Sequence, residues 1–144
     1  MSRTGFALAG LLALLGTGCA TSYQDSGNPV LAVTGGYWNE PGPGPLETVG
    51  FFGNGALSRE QAGVYLIYRC AETAWYRKKR YFSAYASLSD AIDDKPVTDP
   101  YVVETLGGRP DGKVYVLFRD RPAPGALSTV EIIRKYQGRV RGES

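Results

Sequence analysis

Four groups of residues in this 144-residue chain have the types and spacing that could do chemistry. They are the two cysteines, Cys19 and Cys70; the ionisable set Arg59, Glu60, Arg69 and Glu72; the cation run Arg77-Lys78-Lys79-Arg80; and the carboxylates Asp90, Asp93, Asp94 and Asp99. Histidine is absent, which removes the commonest neutral-pH base and the commonest metal ligand. Two cysteines without a CxxC spacing or other soft ligands cannot build a zinc site. The four aspartates lack the alternating ligands and central glycine of a calcium loop, so they read as a solvated acidic loop over 89–100. No nucleophile stands beside a base, and no two carboxylates sit on adjoining elements. A hydrolase is therefore the disfavoured alternative, and the expectation is a protein with no catalytic residue, no metal and no cofactor. A formal charge of +2 gives no global field to gather nucleic acid.

Two of these groups support both a structural and an interaction reading. Cations at the end of a helix complement its carbonyl pole, which accounts for Arg77, Lys78, Lys79 and Arg80. The same four side chains could hold anionic phosphate groups of a lipid or an envelope polymer. Capping and surface pairing account for Arg59, Glu60, Arg69 and Glu72, with Arg69 and Glu72 meeting at i, i+3. Alternatively, Arg59, Glu60, Arg69 and Glu72 form a polar patch around the turn at Asn54 that receives a peptide or a glycan.

The elements that must position these residues centre on the stretch from Phe51 to Gln61. Asn54 between Gly53 and Gly55 suits a reversal from strand to helix, and Ser58 with Gln61 forms a capping box. Thr48 to Phe52 is expected as a strand and Ser58 to about Lys79 as the main helix. At 100° per residue, Gly63, Ile67, Cys70, Ala71, Ala74 and Trp75 share one face, with Val64 and Leu66 at its margins. Cys70 on that face is a small buried apolar residue with an inert thiol. Tyr81 to Leu88 alternates as a strand. Tyr101 to Leu106 and Lys113 to Arg119 pair as an antiparallel hairpin about Asp111-Gly112. Ser128 and Glu131 cap a closing helix with Val130, Ile133 and Tyr136 inward and Gly138 as its stop. The order β-α-β-β-β-α predicts an α+β domain, a mainly antiparallel sheet of about four strands with two helices on one face.

Outside that domain of residues 48–140 the composition changes. Residues 19–47 are rich in Gly and Pro, with Pro41-Gly42-Pro43-Gly44-Pro45 at their centre, and are expected as a flexible tether. Within it Val30 to Val33 could form a short strand, and Tyr37 and Trp38 could dock on the domain. Residues 141–144 are expected to fray. Residues 1–18 have the layout of an export signal, with Arg3 ahead of an apolar run from Phe6 to Leu15 that is too short to span a bilayer.

The signal ends in Leu15-Gly16-Thr17-Gly18-Cys19-Ala20, which resembles the lipobox of bacterial lipoproteins, in which the cysteine is acylated and becomes the first residue. Gly18 and Cys19 fit it. Gly16 departs from it, since leucine is usual three places before the cysteine and Leu15 stands one place too early. Two other readings stay open: an ordinary signal peptide cut near Ala20, and a disulfide between Cys19 and Cys70 in an oxidising compartment.

Taken together, Cys19, Gly36-Tyr37, the segment FFGNGALSREQAGVYLIYRCAE from Phe51 to Glu72, RYFSAY, and KVYVLF followed by STVEIIRKY resemble a family of small Gram-negative envelope lipoproteins of unassigned function, mainly alphaproteobacterial. The resemblance spans most of the mature chain and lapses between Leu88 and Asp111. It implies a lipid-anchored, non-catalytic module attached to the membrane through Cys19, with another envelope protein or a cell-wall polymer as partner. Ala20 rather than Asp after Cys19 implies an outer-membrane location facing the periplasm. The residues expected to take part in an interaction are Asn54, Arg59, Arg69, Glu72, Arg77, Lys78, Lys79 and Arg80.

Overall fold

The structure is a computed structural model that describes residues 23–24, 36–106 and 108–142. Cys19, the apolar run before it and the possible strand at Val30 to Val33 lie outside the described residues. The class is α+β, as the sequence predicts. An antiparallel sheet runs in the order β1-β2-β5-β3-β6, formed by β1 (Gly36–Pro41), β2 (Glu47–Phe52), β5 (Arg109–Arg119), β3 (Tyr81–Tyr85) and β6 (Leu127–Ser128). The two-residue β4 (Thr105–Leu106) pairs with the start of β5. Helix α1 (Arg59–Tyr76) lies over β2, β5 and β3, and α3 (Thr129–Arg141) packs beside it; α2 (Leu88–Ile92) is a single short helix after β3.

The register explains the core. Val49 faces Val114, Ala84 faces Val116 and Phe82 faces Phe118, so every second residue of three strands meets α1. Leu66, Ile67, Cys70, Ala71 and Ala74 complete that layer, all fully buried. Ser58 caps α1 as expected, its Oγ accepting from the Gln61 N–H at 3.0 Å. The return half of the box is replaced: the Gln61 Oε1 accepts from Arg139 of α3 at 2.7 Å. Two glycines admit a crossing segment. A Cβ on Gly63 would lie 1.7 Å from the Tyr101 carbonyl oxygen, and one on Gly112 would lie 2.7 Å from a methyl of Val103. The stretch from Tyr101 to Val103 therefore packs between α1 and β5, where Val103 is wholly buried.

Several boundaries differ from the sequence reading, each for a local reason. The tether assigned to 19–47 contains β1, because the Pro and Gly residues from Pro43 to Pro45 sit in the loop of the β1–β2 hairpin and leave the ladder from Gly36 to Pro41 intact. The folded unit accordingly begins well before residue 48. Residues 101–104 are not a strand, and the β4–β5 reversal falls between Leu106 and Arg109, with Gly108 at φ 78°; Asp111 and Gly112 belong to the ladder opposite Phe52 and Phe51. The acidic loop opens with α2, capped by Ser87 through the Asp90 N–H at 3.0 Å. Helix α3 passes through Gly138 and stops at Gly142, whose φ of 73° is the left-handed value that favours glycine. Its buried residues are Thr129, Ile132 and Tyr136, with Ile133 partly buried against the core as expected, while Val130 is exposed. Among the described residues no helix is long and apolar enough to cross a membrane.

Candidate functional site

The side of α1 that runs from its β1 flank round to its outer surface carries Tyr65, Tyr68, Arg69, Glu72, Trp75 and Tyr76. In an isolated helix on a sheet this face would be wet, yet Tyr65 and Tyr68 are buried. Phe51 of β2 meets Tyr65 from the sheet at 5.2 Å, and Tyr23 covers both tyrosines from outside. Its ring packs edge-on against Tyr65 at 5.5 Å and Tyr68 at 5.4 Å and leans on Tyr37 of β1 at 4.8 Å. Its hydroxyl donates to the Glu72 carboxylate. Burial first, and then this bond to an anion, push the Tyr23 phenol well above its ordinary range, so it stays a neutral donor. The neighbouring Gln24 carbonyl accepts from the Tyr37 N–H at 2.7 Å, which joins this short stretch to the edge of the sheet.

From Tyr23 a polar chain runs along the β1 side of α1. Arg69 pairs with Glu72 at 3.5 Å, donates from Nε to Asn39 Oδ1 at 2.7 Å, and lies over the Tyr37 ring at 4.0 Å. Asn39 in turn donates to Glu47 at 3.0 Å and to Thr73 at 3.1 Å, and Glu47 pairs with Arg77. Positive and negative groups alternate along this chain. Arg69 and Glu72 are thus brought together as the i, i+3 spacing predicts, and they tie β1 and Tyr23 to the helix. Sequence reasoning missed Tyr23, Asn39 and Glu47. The alternation of Tyr37 and Asn39 ahead of a hairpin was the available signal, and it was masked by the adjacent Pro-Gly run.

Beyond Glu72 the cover ends. Trp75 is 59% exposed and Tyr76 74% exposed, with Val130 of α3 at 45% beside them. Trp75 thus leaves the core face on which the sequence places it. It lies about 140° round the helix from Cys70, at the margin of the buried arc, and α3 seals α1 through Ile132 and Tyr136 rather than at this end. A groove of about 360 Å³ opens here between the helices, lined by Tyr68, Glu72, Trp75, Tyr76, Ile133 and Arg134 among others. It continues round Trp75 and Tyr76 into a hollow reaching Lys78, Lys79, Arg80 and Thr129.

The cation run begins where α1 stops. No basic residue lies in the last turn of the helix; Arg77 is the cap, and the chain reverses at Lys78, whose φ is 57°. The Lys79 N–H reaches the Ala74 carbonyl at 2.8 Å and the Lys78 N–H the Trp75 carbonyl at 2.9 Å, the Schellman pattern with lysine where glycine is usual. Arg77 pairs with Glu47, Lys79 with Asp120 at 2.9 Å, and Arg80 donates to the Asp120 carbonyl at 3.1 and 2.9 Å. Neither Lys78 nor Arg134 has a side-chain partner among the described residues.

The patch imagined around Asn54 is not assembled. Asn54 Oδ1 accepts from Ala56 N–H at 3.0 Å, and Arg59 donates to the Val103 carbonyl at 2.8 Å. Arg69 stands ten residues, about 15 Å, further along the helix axis, and Arg77 about 27 Å. The aspartates likewise go to separate partners: Asp90 to Ser87, Asp93 to Lys95, Asp94 to Tyr85 and Arg119, Asp99 to Lys135 and Tyr136. Among the described residues no cluster of three or more potential metal ligands occurs. Cys70 is a free thiol in the core, and burial pushes its pKa up, away from the reactive thiolate; a bridge to Cys19 would require that core to open. No protein-family model, curated protein sequence or solved structure matches this chain.

Proposed function

We propose that this chain is a lipid-anchored, non-catalytic protein of a Gram-negative cell envelope, held by diacylglycerol on Cys19, in which the α+β domain serves as an interaction or structural module. The observation that carries the reading is Gly18-Cys19 directly after a short apolar run, with the first described domain residue, Tyr23, only four positions later. The likeness to envelope lipoproteins supports the same assignment and a place on the outer membrane facing the periplasm. A non-catalytic role is supported by the enclosed Cys70 and by ionisable side chains engaged in internal pairs. Binding of an anionic envelope polymer by the cation run is the weaker reading, because Arg77, Lys79 and Arg80 already have partners in the fold.

Metabolic labelling with an alkyne fatty acid in a Gram-negative host tests the anchor. The wild-type chain should take up label, and Cys19→Ser should lose it and accumulate as a slower-migrating precursor. A Cys19→Ser chain that is processed normally, or an unlabelled wild-type chain, contradicts the reading.

A further inference from the structure

The sequence alone suggests a domain on a leash. The docking of Tyr23 removes most of that leash. Only Ala20, Thr21 and Ser22 separate Cys19 from Tyr23, a reach of at most about 14 Å even when fully extended. Tyr23 is fixed to the outward face of α1, bonded to Glu72, and Glu72 lines the same groove as Trp75 and Tyr76. An anchor on Cys19 would therefore bring this face of the domain to the bilayer.

What that face presents matches a bilayer surface. Two large aromatic side chains and Val130 stand exposed together, as amphipathic rings do at the headgroup level. Around them are the cations Lys78, Arg80 and Arg134, of which Lys78 and Arg134 are unpaired among the described residues. The carboxylate in the groove, Glu72, already accepts from Tyr23 and pairs with Arg69, so it adds little repulsion. Lys78 occupies a left-handed position that favours glycine, a local cost that keeps a cation at the rim. The rival apolar surface is the outer face of the sheet, where Trp38 stacks on Phe52 at 5.9 Å over Gly50. It lies on the far side of the sheet from Tyr23 and, among the described residues, carries no comparable cluster of free cations; Lys113 there lies over the Tyr115 ring at 5.6 Å.

We infer that Trp75, Tyr76 and Val130, rimmed by Lys78, Arg80 and Arg134, form a membrane-contact surface that rests on anionic phospholipid headgroups and fixes the orientation of the domain. The orientation rests on the lipid-anchored reading; the surface chemistry does not.

The chain has two tryptophans, Trp38 and Trp75, on opposite sides of the domain, so each can report alone. The full protein is purified, its acylation read by mass spectrometry, and Trp38→Phe and Trp75→Phe forms are placed in vesicles of equimolar phosphatidylethanolamine and phosphatidylglycerol with brominated acyl chains. Trp75 should shift to the blue and lose about half or more of its emission, as expected of a ring at the acyl boundary, while Trp38 stays unquenched. The pair Lys78→Gln and Arg134→Gln should weaken the quenched state by about fivefold per side chain. An acylated protein with Trp75 unquenched, or with Trp38 quenched in its place, overturns the inference and leaves the anchor standing. A protein without acyl groups whose Trp75 is quenched when it is added to the same vesicles overturns the anchor and supports the surface. A protein without acyl groups whose Trp75 stays unquenched overturns both.

Discussion

The two ends of α1 differ in how completely the rest of the fold covers them. At the N-terminal end Ser58 caps the helix, Arg59 holds the Val103 carbonyl, and Gly63 admits the Tyr101 backbone to contact distance. At the C-terminal end Trp75 and Tyr76 face solvent, the residue after the Arg77 cap is a lysine in a glycine conformation, and the nearest free cations, Lys78 and Arg134, have no partner among the described residues. The first end is over-determined by packing and the second is not. Packing is satisfied where the helix crosses the sheet, so side chains beyond that crossing are free to serve a contact outside the molecule.

The contrast is broken most severely at Gly63. Alanine is the better helix former by about 1 kcal/mol, but its methyl would meet a backbone oxygen at 1.7 Å, so repacking dominates. Gly63→Ala should lower the unfolding free energy by about 3 kcal/mol or more in chemical denaturation. A neutral or stabilising result would mean that the Tyr101 to Val103 segment does not pack there.

The middle of the helix is sharpened by Tyr23→Phe, which removes a bond to a charged partner and should cost about 1.5 kcal/mol or more. The pH dependence separates this from packing. The Tyr23 phenol is raised in the fold, so the unfolded chain loses its proton first, near pH 10; stabilisation is complete below that and lost as pH climbs above it. Wild-type stability should fall above about pH 10, and the Phe variant should fall less steeply.

At the far end the effects are small, because the side chains there are already mostly exposed. Lys78→Gly relieves a left-handed lysine and should stabilise by about 0.5–1 kcal/mol. Trp75→Ser should change stability by less than about 0.5 kcal/mol, since the side chain is mostly exposed. Thermal denaturation of the two variants, side by side, checks both signs.

How far these regions could be read from the sequence follows the range of the forces involved. Local signals were legible: the Ser58 cap, the period that buries Ile67, Cys70 and Ala74, and the strand at Tyr81. Long-range ones were not. Asp111-Gly112 has the chemistry of a turn, but Gly112 is there because Val103 packs on it. Pro43 to Pro45 have the composition of a linker, yet they close a hairpin whose first strand lies entirely within the supposed tether. Periodicity placed Trp75 inward because it reports the face of a helix and not where its neighbour stops covering it. Of the candidate site, Arg69 with Glu72 was found by spacing; Tyr23 could not be, because nothing local to it signals a partner 49 residues away.

The most direct test of the account is amide hydrogen exchange on the reconstituted protein, comparing bilayers of phosphatidylcholine alone with bilayers containing phosphatidylglycerol. The account predicts added protection on the anionic bilayer at residues 75–80 and in the first turn of α3, with Arg59 to Ile67 unchanged. Protection that appears instead on the β1–β2 hairpin, or nowhere, would contradict it.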